Sequence, residues 1–249
     1  MNAVLHLLQL GRLPYLDGLE VMGKVAAARK LGTIGDTLLL MEHPPVLTLG
    51  RNATRANILA TDDLLARKGV EVHEINRGGD VTYHGPGQLV AYPIFDLRGD
   101  LPGKRGPHLG PVDFVRLLEE ALIFTCKDFG VRAQRICKRT GVWTYAGGSI
   151  CERKIAAIGI HVSQAVTTHG IALNVTTDLR DFDWIVPCGI TDRGVTSLDL
   201  EADPVTEPTL GRASDSLARN FGRVFDRQML ATDMRASSLE AFFSINRLA

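Results

Sequence analysis

The hydrophobic pattern of this chain consists mainly of short apolar runs that glycine and proline interrupt. Residues 1–10 form the first run, which predicts a strand because it is short and has no charged leader of the kind found in signal peptides. Residues 36–42 form a continuous run that is typical of a strand buried on both faces. Residues 46–50 and 89–97 predict two further strands, so strands cluster in the first hundred residues.

Three longer segments carry apolar residues at helical spacing instead. The first spans residues 14–31 and stops at Gly32, a residue favoured at helix C-termini. A second helix is predicted to begin at Pro111, because proline suits the first helical position, and to end at Gly130. A last amphipathic helix follows the loop at 201–208, and its apolar face is formed by Leu217, Phe221, Val224 and Phe225.

The order of these elements indicates the fold class. Strands and helices do not alternate strictly, which favours an α/β (α+β) fold with a mixed β-sheet flanked by helices over a dinucleotide-binding fold or a barrel. At 249 residues, the chain is long enough for one large domain with a sizeable core. We predict a single domain over residues 1–249, in which residues 200–249 form a C-terminal extension with one amphipathic helix. A β-hairpin is predicted around Gly147-Gly148.

Composition and charge narrow the classes of partner and compartment. The 28 basic and 28 acidic residues cancel, which argues against nucleic acid as the main partner because phosphate binding needs surplus Lys and Arg. No apolar run approaches the ~18 residues that a membrane-spanning helix needs, so we expect a cytoplasmic protein. The cysteines show no metal-ligand spacing, so we expect free thiols and no metal site at Cys126, Cys137, Cys151 and Cys188.

One polar stretch is unusually rich in glycine. Arg77-Gly-Gly-Asp-Val-Thr-Tyr-His-Gly-Pro-Gly-Gln88 is predicted to be a loop whose glycines let the backbone approach a ligand, although an ordinary glycine-rich hairpin is the alternative. Further along the chain, several small residues leave space that larger ones would fill. These residues suit a narrow slot for an acyl chain, and they are Ala156, Ala157, Gly159, Gly170 and Ala172.

Two residues near this slot suggest acyl transfer through a thioester. Cys188 lies in a Pro-Cys-Gly turn, where backbone N–H groups could approach a carbonyl; a buried structural cysteine is the alternative. Lys154 is either held at the rim of an apolar pocket, where it can exchange a proton with a thiol, or it reaches water from a strand end. Strand alternation predicts that Lys154 shares its face with Ala156, Ile158 and Ile160. Competing bases are His84, His161 and His169.

Six segments, in order from about residue 42 to residue 198, resemble the lipoyl(octanoyl) transferase family. They are the glycine-rich segment 77–88, Gly141-Val-Trp143, Lys154-Ile-Ala-Ala-Ile-Gly159, His169-Gly-Ile-Ala-Leu-Asn174, Pro187-Cys-Gly189 and Gly194-Val-Thr-Ser-Leu198. The resemblance implies a catalytic domain with the biotin/lipoate protein ligase-like fold. It also implies an octanoyl-[acyl carrier protein]:protein N-octanoyltransferase, which catalyses the first step of endogenous lipoate biosynthesis.

The resemblance assigns roles to individual residues. Cys188 is implied to carry the octanoyl (or lipoyl) group as a thioester, and Lys154 to lower the pKa of that thiol and move its proton. The substrate-binding residues that it implies are Arg77, Gly78, Gly79, Asp80, Val81, Thr82, Tyr83, His84, Ala157, Ile158, Gly159, Gly170, Ile171 and Ala172. It implies no ATP, no metal and no bound cofactor, since the acyl group arrives on the phosphopantetheine arm of acyl carrier protein.

The implied partners are octanoyl-acyl carrier protein as the donor and lipoyl domains as acceptors, either in 2-oxoacid dehydrogenase E2 subunits or in the glycine-cleavage H protein. We expect a monomer that binds neither nucleic acid nor membrane. Acyl carrier proteins are acidic, so a basic docking patch is predicted from charge and loop placement. It comprises Arg51, Arg55, Lys104 and Arg105.

Three other functions remain open at this point. An ATP-dependent lipoate or biotin ligase would share the fold and need no thiol, but here the glycine-rich loop continues as His84-Gly-Pro-Gly-Gln88 and a Pro-Cys-Gly turn is present. A non-catalytic acyl-binding module would not need Cys188 and Lys154 together. A cysteine hydrolase that uses His84 or His169 would release free octanoate without any acceptor.

Overall fold

Two β-sheets organise the part of the chain that the computed structural model describes, namely residues 3–145, 152–186, 194–233 and 239–245. The strands of the larger sheet are β1 (Ala3–Arg12), β2 (Thr37–Glu42), β6 (Gln88–Ile94), β7 (Ala133–Ile136), β8 (Arg139–Tyr145), β9 (Glu152–Ser163), β10 (Val166–Asn174), β11 (Gly194–Val195) and β12 (Arg227–Asp233). The smaller sheet consists of β3 (Val46–Leu49), β4 (Glu71–Glu74) and β5 (Val81–His84).

The larger sheet is mixed, as predicted. Its strands follow the order β12-β1-β2-β6-β10-β9-β8-β7, and β11 pairs with β9. The β1 strand runs parallel to both β12 and β2, and β11 runs parallel to β9. The pairs β2–β6, β6–β10, β10–β9, β9–β8 and β8–β7 are antiparallel. The β8 and β9 strands form the predicted hairpin, whose Gly147-Gly148 turn lies outside the described residues.

The helices of the described residues lie between and after these strands. They are α1 (Tyr15–Lys30), α2 (Asp62–Arg67), α3 (Pro111–Asp128), α4 (Leu198–Glu201), α5 (Leu210–Phe225) and α6 (Leu239–Ile245). The predicted stops are confirmed, because Gly32 and Gly130 both have positive φ just after α1 and α3. Within the described ranges, no helix combines the length and the apolarity needed to cross a membrane.

The larger sheet separates two apolar cores, which explains the continuous apolar run of β2. Leu38 and Leu40 belong to the core on the α3 and α5 side, where phenylalanines of both helices are fully buried. Leu39 and Met41 face the opposite way and pack with residues of α1 and α6. Because successive strand side chains point to opposite faces, a strand between two cores has no polar face.

Residues 200–249 hold more than the one amphipathic helix predicted for them. After α5, the chain adds β12, which pairs in parallel with β1 at the sheet edge, and then α6, whose Phe242 is buried in the α1-side core. The β12 sequence is half polar, as edge strands often are, so its hydrophobic pattern did not indicate a strand. The β12 strand thus extends the main sheet, while α5 packs on one of its faces and α6 on the other.

The glycine-rich segment 77–88 also differs from its prediction as a polar loop. Residues Val81–His84 form β5, in which every side chain is buried, and the next strand begins at Gln88 and ends at Ile94 instead of Leu97. The β5 strand pairs antiparallel with β3. Its polar side chains hid its strand character, because both of its faces are covered by other parts of the protein.

Candidate active site

A cavity of about 50 Å³ lies where the small sheet covers the larger sheet. Twelve of the fourteen residues predicted to bind substrate line it, drawn from β5 and the loop before it and from β9 and β10. These twelve are Arg77, Gly78, Gly79, Asp80, Thr82, His84, Ala157, Ile158, Gly159, Gly170, Ile171 and Ala172. Three lining residues were not among those fourteen, namely Tyr15, Tyr92 and His169.

The β9 and β10 strands contribute matched pairs of small residues to this cavity. Gly159 is the direct cross-strand partner of Gly170, and Ala157 is that of Ala172. A Cβ atom on Gly159 would lie 2.7 Å from the carbonyl oxygen of Gly78, and one on Gly170 would lie 2.4 Å from that of Ala91. Both glycines are therefore required by close backbone approach, which keeps the slot narrow.

Arg77 anchors the loop that covers these strands. Its guanidinium is buried and donates to the Thr48 carbonyl oxygen at 2.7 Å and to Thr48 Oγ1 at 2.8 Å. The backbone N–H of Gly78 donates to the Ile160 carbonyl oxygen at 3.0 Å, which ties the loop to β9. Asp80 accepts from Asn57 Nδ2 at 2.6 Å and from its neighbour Val81 N at 2.7 Å. These contacts hold the loop against both sheets.

Val81 and Tyr83, the other two predicted binding residues, point away from the cavity. Both are buried in a separate, smaller apolar core between the small sheet and the 3₁₀ helix Leu179–Trp184. The Tyr83 hydroxyl donates to Asp181 Oδ2 at 2.5 Å, and burial raises the pKa of that hydroxyl. Strand alternation along β5 therefore assigns Thr82 and His84 to the cavity and the two intervening side chains to packing.

A wall of tyrosine and histidine rings closes one side of the cavity. The rings of Tyr15 and His84 are stacked with centroids 6.1 Å apart, and those of Tyr92 and His169 meet edge to face at 5.9 Å. Burial lowers the pKa of His84 to about 3 and that of His169 to about 4. Both imidazoles are consequently neutral at pH 7, and each can serve as a hydrogen-bonding group toward a ligand.

Each of these two histidines has a fixed orientation. His84 Nδ1 donates to Gln88 Oε1 at 2.7 Å, and His169 Nε2 donates to Asn76 Oδ1 at 2.8 Å. His169 has a φ of 56°, a left-handed conformation that is uncommon for a strand residue other than glycine. The third candidate base, His161, lies further along β9 and does not line the cavity.

Lys154 lines a second, smaller cavity that continues from the first. This cavity of about 20 Å³ shares Thr82, Ala157 and Ala172 with the larger one. The Lys154 side chain is 8% exposed, and its Nζ lies 4.7 Å from the centroid of the Trp143 ring. The structure therefore brings Lys154 to the end of the slot that the predicted binding residues form.

The predicted neighbours of Lys154 were wrong because β9 contains a bulge. Val142 of β8 pairs with Ala156, and the next residue, Trp143, pairs with Lys154. The β9 strand therefore has one more residue than β8 at this point. This extra residue shifts the alternation, so Lys154 lies on the cavity side with Ala157. The residues predicted to share its face instead pack against the core on the α3 side, and they are Ala156, Ile158 and Ile160.

Cys188 lies in segment 187–193, outside the described residues. The residues on both sides of that segment are held near the cavities. Val186 N donates to the Asn57 carbonyl oxygen at 2.8 Å, and Asn57 in turn holds Asp80. Val195 pairs with Lys154 and lines the small cavity.

The other cysteines differ in their surroundings. Cys126 is fully buried in α3, and burial raises the pKa of its thiol to about 12. Cys137 is exposed, and Cys151 lies outside the described residues. Among the described residues, no group of three or more His, Cys, Asp or Glu side chains is arranged to hold a metal ion.

A buried amide network connects the two cavities, and sequence reasoning did not find it. Gln88 Nε2 donates to Asn174 Oδ1 at 2.9 Å, and Asn174 Nδ2 donates to the Thr196 carbonyl oxygen at 2.9 Å. The Thr196 backbone N–H donates to the Lys154 carbonyl oxygen, also at 2.9 Å. The network joins the His84 end of the slot to the strand that carries Lys154. The amides at residues 88 and 174 fall within two of the recognised motifs, 77–88 and 169–174, which was the available signal.

Sequence comparison identifies the relatives of this chain. Residues 14–222 match the family described as lipoyl protein ligase A/B catalytic domain. An octanoyltransferase of Acidobacterium capsulatum is 63% identical over 228 residues, which cover 91% of this chain and 92% of that protein. An octanoyltransferase of Koribacter versatilis is 48% identical over 227 residues, covering 91% of this chain and 86% of that protein.

Solved structures share the fold at much lower identity. A bi-partite lipoate protein ligase from Thermoplasma acidophilum matches with a TM-score of 0.68 at 17% identity, covering 94% of this chain and 87% of that one. Lipoate-protein ligase A bound with ATP matches with a TM-score of 0.63 at 16% identity, covering 98% and 95%. These matches confirm the predicted fold. The family match and the sequence relatives show that the chain belongs to the octanoyltransferases, acyltransferase enzymes with a lipoyl protein ligase A/B catalytic domain.

Proposed function

We propose that this octanoyltransferase takes its acyl group from octanoyl-acyl carrier protein and delivers it to the lysine of a lipoyl domain, through a thioester on Cys188. The observation that carries the proposal is the continuous slot of small residues that ends at Lys154. Relatives named octanoyltransferase support the transferred group. The donor, the intermediate and the acceptor are the parts that we propose.

The shape and lining of the slot suit an unbranched acyl chain. The paired glycines and alanines of β9 and β10 offer flat, apolar backbone and methyl surface, and the ring wall adds further apolar area. Burying about six methylenes at ~0.8 kcal/mol each contributes about 5 kcal/mol, enough to favour an octanoyl chain over short acyl groups. Val81 and Tyr83, which the family resemblance predicted to bind substrate, would instead support the site by packing behind β5.

Cys188 and Lys154 would divide the chemistry. The Cys188 thiolate attacks the thioester carbonyl carbon of the donor, and the thiol of the phosphopantetheine arm leaves with a proton that Lys154 supplies. The ε-amine of the acceptor lysine then attacks the new thioester, losing a proton to Lys154 as the Cys188 sulfur departs. Thioester exchange is nearly isoenergetic and amide formation is downhill, so the scheme needs no ATP, metal or bound cofactor.

The two protein substrates would approach the open side of the slot. Arg51 of the proposed docking patch lies next to the cavity, because its backbone N–H donates to the Arg77 carbonyl oxygen at 3.0 Å. Arg55 forms an ion pair with Asp62, and Lys104 Nζ donates to the Arg98 carbonyl oxygen at 2.8 Å. We propose these side chains as contacts for an acidic carrier protein, and a cytoplasmic monomer as the active form.

An intermediate-trapping experiment tests the proposal directly. The purified protein is mixed with octanoyl-acyl carrier protein, without ATP and without a lipoyl domain, and its intact mass and peptides are measured. We expect an octanoyl adduct on Cys188 that hydroxylamine removes and that a lipoyl domain consumes. Cys188→Ala should form no adduct, whereas the matched control Cys137→Ala, which removes an exposed thiol, should behave like the wild type.

Three outcomes would contradict the proposal. Transfer to a lipoyl domain only when ATP and free octanoate are supplied would indicate a ligase mechanism. Full activity of Cys188→Ala would exclude the thioester. Release of free octanoate without an acceptor would instead indicate the hydrolase alternative.

A further inference from the structure

The orientation of Lys154 depends on a local irregularity in the sheet. A regular β8–β9 pairing would place Lys154 on the core side, and the bulge beside Trp143 places it in the small cavity instead. Whatever stabilises this bulge therefore decides which face of the sheet carries the Lys154 amine.

Gly141 of the neighbouring strand comes directly before Val142 and Trp143, the two residues opposite the bulge. Gly141 has a φ of 116°, a conformation that side chains rarely allow. A Cβ atom on it would lie 2.7 Å from the Ala156 carbonyl oxygen and 3.5 Å from Lys154 Cε. Position 141 therefore has no room for a side chain, because such a side chain would meet the irregular part of β9 and the lysine that the bulge redirects.

A buried carboxylate from α3 holds this glycine. Glu119 Oε1 accepts a hydrogen bond from Gly141 N at 3.2 Å, and the Glu119 side chain is completely buried. Its other oxygen, Oε2, accepts from Arg116 Nη1 at 2.6 Å and from Arg135 Nε at 3.1 Å. The two arginines hold the carboxylate in place. The carboxylate in turn accepts the hydrogen bond from the backbone N–H of Gly141.

We infer that Glu119 is a positioning residue for octanoyl transfer, which acts through Gly141 and the β9 bulge to orient Lys154. The inference rests on the proposed role of Lys154 in proton transfer. Glu119 itself does not line either cavity, so its effect on the reaction would be transmitted entirely through the backbone of β8 and β9.

Two double variants isolate the hydrogen bond to Gly141 from the ion pair. In E119Q/R135Q, an amide pair replaces the ion pair and the glutamine oxygen can still accept from Gly141 N. E119M/R135Q also lacks that acceptor. The half-exposed Arg116, which pairs with Glu119 in the wild type, loses its charged partner in both variants. We expect E119Q/R135Q to keep kcat for octanoyl transfer within about threefold of the wild type, and E119M/R135Q to lose about tenfold or more, each with KM changed less than about twofold.

A readout at Lys154 separates this inference from the proposed mechanism. Trace acetylation with acetic anhydride, normalised to the half-exposed Lys24, reports how accessible Lys154 is in each variant. We expect E119M/R135Q to raise the relative labelling of Lys154 at least about threefold, since a lysine without its cavity is displaced toward water, and E119Q/R135Q to match the wild type.

The outcomes are distinguishable. Equal kcat and equal Lys154 labelling in the two double variants would overturn the positioning role. If Lys154→Met retained full transfer activity, the proposed role of Lys154 in proton transfer would be wrong. The difference in Lys154 labelling between the two double variants would still test whether Glu119 orients Lys154. Should E119M/R135Q not fold, Glu119→Asp keeps the charge but withdraws the carboxylate from Gly141 N, and normal kcat and normal Lys154 labelling in this variant would equally contradict the inference.

Discussion

Trp143 and Lys154 are direct cross-strand partners, and the Lys154 Nζ atom lies 4.7 Å from the centroid of the Trp143 ring. The indole is 1% exposed and the lysine 8% exposed, so water is largely excluded from this contact. A cation over an indole face in such surroundings is stabilised by about 2 kcal/mol. The tryptophan of the Gly141-Val-Trp143 motif thus contributes directly to the surroundings of the proposed proton-transfer residue.

Replacing the Trp143 ring should therefore impair transfer. We expect Trp143→Leu to lower kcat by on the order of tenfold, because the lysine loses a partner worth more than the 1.4 kcal/mol that a factor of ten represents. Trp143→Phe keeps an aromatic face and should retain most of the activity. Single-turnover octanoyl transfer measures both variants, and identical rates for Leu and Phe would show that the ring face is irrelevant.

Cysteine reactivity should differ sharply along the chain. The Cys126 thiol is buried with a pKa of about 12, so its thiolate fraction at pH 7.5 is on the order of one in 30,000. We expect iodoacetamide to leave Cys126 unmodified in the native protein and to alkylate it in urea. Exposed Cys137 is the internal control and should react in both conditions. Rapid native alkylation of Cys126, detected by peptide mass, would contradict the packing of α3.

Adding a methyl group to the slot should destabilise the protein. Gly170→Ala would bring a Cβ atom within 2.4 Å of both the Ala91 carbonyl oxygen and Pro93 Cδ, so we expect a loss of about 1–3 kcal/mol in the free energy of unfolding. Gly23→Ala is the matched control, because Gly23 lies within α1 with open space around its Cα. It should stabilise the protein by about 0.5–1 kcal/mol, and urea unfolding compares the two.

Acid should destabilise the fold through the two neutral histidines of the ring wall. Their pKa values, about 3 for His84 and about 4 for His169, lie below the unfolded value of about 6.5. The unfolded chain therefore binds more protons, and stability falls as the pH drops from about 6.5 toward 4. Between pH 7 and pH 5, each histidine should cost about 2 kcal/mol.

The variant His169→Asn provides the comparison for this pH effect. Asparagine tolerates the left-handed φ of 56° at this position but does not titrate. Urea unfolding at pH 7 and pH 5 should show a smaller loss of stability in His169→Asn than in the wild type, by about 2 kcal/mol. An equal loss in both proteins would mean that His169 does not remain neutral in the native state.

The sequence carried much of this architecture in local signals. Glycine after α1 and α3, and apolar residues at helical spacing within α3 and α5, predicted those helices because caps and periodicity act within a few residues. The unbroken run of β2 indicated burial on both faces for the same local reason. Twelve of the fourteen residues in the motif-derived binding set line one cavity, since segments with shared sequence occupy shared positions in the family fold.

Long-range pairing accounts for what sequence reasoning missed. The β12 strand pairs with the free edge of β1, which lies more than two hundred residues earlier in the chain. The sequence of β12 by itself does not indicate this partner. Tyr15 and Tyr92 come from α1 and β6, and only the packing of the helix on the sheet brings them to one cavity.

The sequence by itself determined the family, the fold class and most of the residues around the slot, because those follow from ordered motifs and local periodicity. The tertiary structure decided where individual side chains point. Val81 and Tyr83 face a core because β5 is covered on both sides, and Lys154 faces the cavity because a bulge opposite Val142 and Trp143 reverses the alternation of β9. One extra residue in a β-strand moves the side chains beyond it to the opposite face of the sheet. The alternation of apolar and polar residues in the sequence does not show where such a residue is inserted.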